Sequence, residues 1–130
     1  MYQITALYAG ILAIILVVLS VRVIRGRLTG RVSLGDGGGA LSTHIRAHGN
    51  FIEYVPMALI LIGLLESRGT AGWVLHVLGI VLVIARILHP FGLVMKSPNG
   101  ARAFGATGTL LVLLVSGILL LLSVLLNFKV

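Results

Sequence analysis

The chain has 130 residues, of which 58% are hydrophobic and 10% charged, with mean hydropathy +1.15 and formal net charge +7. A water-soluble domain keeps roughly a quarter of its residues charged, so this composition excludes one and leaves lipid as the solvent. Cysteine is absent, which excludes disulfides, thiolate metal sites and a cysteine nucleophile.

The first apolar run, residues 2–24, carries no charge before Arg22 and is long enough at ~1.5 Å per residue to cross a hydrocarbon core of ~30 Å. No basic segment precedes it and no small-residue cleavage site follows, so it reads as a retained span. Arg22, Arg25, Arg27 and Arg31 come next, and Gly35 to Gly39 then break the helix and make the longest loop. This glycine run lacks a following Lys-Ser or Lys-Thr and is not a phosphate loop. The second span covers 41–65 and holds Arg46, His48, Asn50 and Glu53 in its first half. The third, 71–95, is apolar through Ala85 and then carries Arg86, His89 and Pro90 before Lys96 and Pro98. The fourth, 103–126, is uncharged, and Gly105 and Gly108 near its start suit a close helix approach.

The expectation is one membrane domain over residues 1–130, an all-α bundle of four helices. Arginines crowd the first loop, Lys96 and Arg102 mark the third, and the second has only Glu66 and Arg68. The positive-inside bias therefore puts the first and third loops in the cytoplasm and both termini on the far side, with Lys129 a small counter-signal. The same bias explains the basic balance better than nucleic-acid binding does, since no aromatic-interleaved basic element is present.

Arg46, Asn50, Glu53 and Tyr54 stand at i, i+4, i+7 and i+8, on one side of a helix. Glu53 lies ~10 Å along the axis from Arg46, inside the bilayer, where a lone charge costs a few kcal/mol and must face protein or a water-filled cavity. Arg86 and His89 form a second stripe on span three, with Arg86 the expected counter-ion of Glu53. Arg102 and Arg25 can close over the same space from the rim. Such a cavity suits a small zwitterion: arginines pair with carboxylates, Glu53 takes an ammonium group and Asn50 an amide. A thiol among arginines would have its pKa lowered from ~8.5, which points to glutathione.

The eleven residues Arg46-Ala47-His48-Gly49-Asn50-Phe51-Ile52-Glu53-Tyr54-Val55-Pro56 resemble the second-span signature, Arg-Ala-x-x-Asn-x-x-Glu-x-x-Pro, of the MAPEG family, the membrane-associated proteins of eicosanoid and glutathione metabolism. The resemblance covers the whole chain, with Arg86, His89 and Arg102 spaced as in the prostaglandin E synthase branch. It implies a homotrimer in a bacterial inner membrane with glutathione, as co-substrate, bound at each subunit interface. Position by position, it implies glutathione binding by Arg25, Arg46, Asn50 and Glu53, with Tyr54 and His89 in the site wall and Arg102 as the thiolate-stabilising catalytic arginine. Arg86 joins the binding set as the cation expected beside Glu53. The expected activity is that of a glutathione-dependent transferase, or a peroxidase, with a hydrophobic electrophile from the bilayer as second substrate. Where the synthases carry a third-span tyrosine a turn after His89, this chain has Leu93, as suits a bacterial-type member.

Other readings stay open at this point. The span-two stripe also suits an interhelical clamp in a non-catalytic membrane scaffold or ligand-binding protein, and Leu93 keeps that class alive. A small proton-coupled multidrug transporter matches in size, but its essential glutamate belongs to the first span, which here has none. Haem would need a partner for His89, and no acidic third ligand accompanies His44 and His48, so neither haem nor metal is expected. His76 is expected to be structural.

Overall fold

A computed structural model of the chain describes residues 2–95 and 99–126 as four α-helices: α1 (Gln3–Gly30), α2 (Gly39–Ser67), α3 (Gly72–Val94) and α4 (Gly100–Leu125). Each is long and apolar enough to cross a membrane, and no strand occurs among the described residues. Lys96, Pro98 and Lys129, which enter the topology reading, lie outside the described residues.

The first helix runs six residues past position 24, because arginine is a good helix former and nothing interrupts the ladder before Gly30. Arg31 ends it in the left-handed conformation, its N–H turned back to the carbonyls of Arg27 and Leu28. The connection to α2 then turns on Gly37 and Gly38, both at positive φ. The positive φ of Gly37 favours glycine there, and its bare Cα leaves room for the Leu41 side chain.

In cross-section the bundle is a rhombus. The central helices α2 and α3 pack on each other and on both outer helices, whereas α1 and α4 make no contact among the described residues. The core joins Leu12 and Leu19 of α1, Phe51, Val55 and Ile62 of α2, Leu82 of α3 and Val112 of α4. Lipid tails are as apolar as these side chains, so tight packing and small residues must hold the helices together. Gly79 lies beneath the Tyr8 ring, Gly105 against the His89 backbone and Gly92 against the Arg102 backbone. Gly108 sits over Ala85. The approach expected at Gly105 and Gly108 is thus made, by α3.

At the end of the bundle away from most arginines, the α2–α3 turn holds both outer helices. Glu66 accepts the N–H groups of Ile4 (2.9 Å) and Thr5 (2.8 Å) and the Thr5 hydroxyl (2.6 Å), so a carboxylate caps the positive end of α1. Arg68 donates to the Ser123 carbonyl near the negative end of α4. One turn deeper, the Tyr8 hydroxyl meets His76 Nδ1 at 2.9 Å and their rings pack edge to face, which gives His76 a structural role.

Two outward stripes differ in kind. On α3 it is apolar from Val77 on, with the exposed His76 beside Trp73 at its start: Trp73, Val77, Ile80, Ile84, Ile87, Phe91 and Val94 follow at alternating four- and three-residue steps. On α2 it begins with Arg46 and Glu53 before turning apolar at Met57 and Ile60.

Candidate functional site

Every arginine except Arg68 belongs to the half of the bundle where α1 and α3 end and α2 and α4 begin. The centre of that half is Arg86, on α3, with 1% of its surface exposed. Its Nη1 donates to Asn50 Oδ1 on α2 at 2.9 Å, and its Nη2 donates to the Gly105 carbonyl on α4. That carbonyl also accepts from Thr109 Oγ1 at 3.0 Å, and Arg86 Nε has no partner. One guanidinium thus ties three helices through neutral acceptors. Asn50, Tyr54, Arg86, Ala106, Thr109 and Leu110 line a cavity of about 50 Å³ beside it.

The expected pair of Arg86 with Glu53 is not made. Arg86 points into the seam between α2 and α4, while Glu53 lies on the outward edge of α2 and is exposed. The four-residue stripe is therefore divided along its length: Asn50 and Tyr54 are half-buried facing Arg86, and Arg46 and Glu53 look out of the bundle.

The remaining predicted residues are spread around this centre. His89 is 6% exposed and packs on Gly105, with Nδ1 unpartnered, and it does not line the cavity. Arg102 is exposed at the head of α4, where its backbone N–H donates to the Asn99 side chain at 2.8 Å. Arg25 is exposed on α1, which does not reach α4, so one chain does not bring Arg25 and Arg102 together. His48 lies off the stripe and meets Ser20 of α1 at 3.1 Å. Leu93 packs against the core. Thr109 and the Gly105 carbonyl join the cluster with no mark in the sequence beyond their one-turn spacing on a helix that opens with small residues.

A single chain therefore offers a small cleft beside Arg86 and, outside it, exposed charges on α2. The cleft is far below the ~300 Å³ at which pockets for drug-sized ligands begin.

The MAPEG family model matches residues 5–122. The chain belongs to the MAPEG family. It is thereby a membrane protein of the family named for eicosanoid and glutathione metabolism, and the match runs through all four helices. Among its MAPEG relatives is inner membrane protein YecN, from two Escherichia coli strains. Each is 42% identical over 91 residues, covering 69% of this chain and 70% of the relative. No solved structure gave a significant match.

Proposed function

We propose that this MAPEG chain is the subunit of a homotrimer that binds glutathione between subunits and transfers it to lipophilic electrophiles drawn from the bilayer. Glu53 carries the proposal. Of the three acidic residues in the chain, Asp36 accepts from Gly38 and Ser42 in the glycine loop and Glu66 caps α1. Glu53 stands midway along a spanning helix, exposed and without an ion-pair partner among the described residues. A carboxylate bared to lipid there costs about 2.5–3.5 kcal/mol even on insertion scales, so another surface must cover it. A second copy supplies one, and a closed ring covers the same stripe on every subunit.

In such an interface Arg46, Glu53 and Asn50 of one subunit hold the carboxylate, ammonium and amide groups of glutathione, with Arg25 at the rim and Tyr54 forming the wall, while His89, buried against Gly105, stays behind it. Arg86 acts behind them by fixing Asn50. Arg102 stabilises the thiolate, which attacks the electrophilic carbon. The leaving group departs with its electron pair and the thiol proton passes to water. The positive-inside bias places the arginine-rich half in the cytoplasm and both termini opposite, in the inner membrane that the name of the YecN relative gives.

The test is conjugation of a chloronitrobenzene by purified protein whose native mass is measured in parallel. A trimer with glutathione-dependent turnover is expected, and Arg102→Ala should lower kcat by about a hundredfold while glutathione still binds. A monomer, or turnover unchanged in Arg102→Ala, would contradict the reading. Leu93 favours one second reading, binding without turnover, because a packed leucine stands where the synthases place tyrosine. Saturable glutathione binding without conjugation of any electrophile is its signature.

A further inference from the structure

The side of the rhombus opposite the polar stripe of α2 holds a groove of about 180 Å³ between α1 and α3. Ile14, Val18 and Leu19 face Ile87 and Phe91 across it, and Arg22 stands at one end. Ile14, Val18, Ile87 and Phe91 are exposed, and the outward stripe of α3 beside them is apolar from Val77 to Val94. This side therefore meets lipid tails, whereas the side carrying Arg46 and Glu53 does not.

Position and charge select the occupant. Arg22 lies ~29 Å along α1 from Gln3, about one hydrocarbon thickness, which puts its guanidinium at the level of lipid phosphates. It is exposed, and neither it nor Arg25, three residues on, has an ion-pair partner among the described residues. From Ile14 to Arg22 the groove follows α1 for ~12 Å, room for the upper part of an acyl chain. We propose that the groove is a binding site for one anionic phospholipid from the leaflet on the arginine-rich side, its phosphate on Arg22 and one acyl chain between α1 and α3. A zwitterionic headgroup would bring its own cation toward Arg25, so the site selects net negative charge.

The groove is joined to the candidate site. Arg86 lines both the groove and the cleft with Asn50, so a bound acyl chain packs against the residue that positions Asn50. The proposal does not depend on glutathione being the ligand on the other side.

Native mass spectrometry of the intact protein tests it, with phosphatidylglycerol titrated against phosphatidylcholine of the same acyl chains. Retention of phosphatidylglycerol about fivefold above phosphatidylcholine is expected, one lipid per chain, falling to near parity in Arg22→Gln. Arg27→Gln should keep the preference, because Arg27 lines a different surface and donates to the Ser33 carbonyl. Val18→Trp or Ile87→Trp, at exposed positions, should fill the groove and reduce retention of both lipids. Equal retention of the two lipids by the wild-type protein would overturn the proposal. So would a preference that survives Arg22→Gln or both tryptophan variants. Loss of the oligomer in the tryptophan variants with lipid selectivity intact would assign the groove to a second copy instead.

Discussion

Arg86 is a cation held at membrane depth by an amide oxygen and a backbone carbonyl, with no acid against it. Neutral acceptors orient a guanidinium without cancelling its charge, so the cleft beside it keeps an attraction for anions. The same bonds are structural. Arg86→Met leaves Asn50 Oδ1 and the Gly105 carbonyl short of a donor and should lower stability by about 1–3 kcal/mol. In reversible detergent unfolding, a double-mutant cycle of Arg86→Met with Asn50→Leu should show a coupling above about 0.5 kcal/mol, whereas additivity within that margin would deny the bond. At this scale the sequence was legible in part. Spacing put Arg46, Asn50, Glu53 and Tyr54 on one side of α2 and predicted a polar site on them. It could not say which edge of the stripe turns inward, because that depends on how closely α4 approaches, and the approach is set by Gly105 meeting the His89 backbone.

The four helices were legible from their apolar runs, since only a helix satisfies its own backbone across a bilayer. Their ends were less so, because Arg22, Arg25 and Arg27 are as compatible with a helix in water as with a loop. The clamp at the α2–α3 turn was not legible. Glu66 and Arg68 read as loop charges until the fold brings the two outer helix ends to them, more than fifty residues away in sequence. Glu66→Ala removes three acceptor contacts from the first turn of α1 and should cost about 1–2 kcal/mol. Hydrogen exchange at Ile4 and Thr5 should then speed up while the middle of α1 stays protected, and unchanged exchange would show that the cap is not needed. Glycine contrasts the two kinds of helix surface. A methyl group on Gly105 meets backbone and on Gly117 meets open space. Gly105→Ala should therefore destabilise by at least about 1–3 kcal/mol and loosen Arg86, while Gly117→Ala should stabilise by about 0.5–1 kcal/mol. Thermal unfolding in detergent compares them directly.

The rhombic bundle has two unlike sides. One shows an outward stripe on α3 that is apolar from Val77 to Val94. The other shows Arg46 and Glu53, which no other described side chain of the same chain neutralises, and which the family resemblance assigns to a trimer interface. Composition could identify the membrane and a motif could identify the family, but a single sequence carries no direct record of a second copy. The proposed second copy rests on the exposure of both charges on a helix long and apolar enough to cross a membrane. The most direct test is calorimetric titration of glutathione into the detergent-purified oligomer, repeated with Glu53→Gln. Saturable binding weakened by about tenfold or more in the variant is the predicted result, as expected for loss of a buried charge pair. Undiminished affinity in Glu53→Gln, or no binding to the wild-type protein, would contradict the assignment of this surface to glutathione.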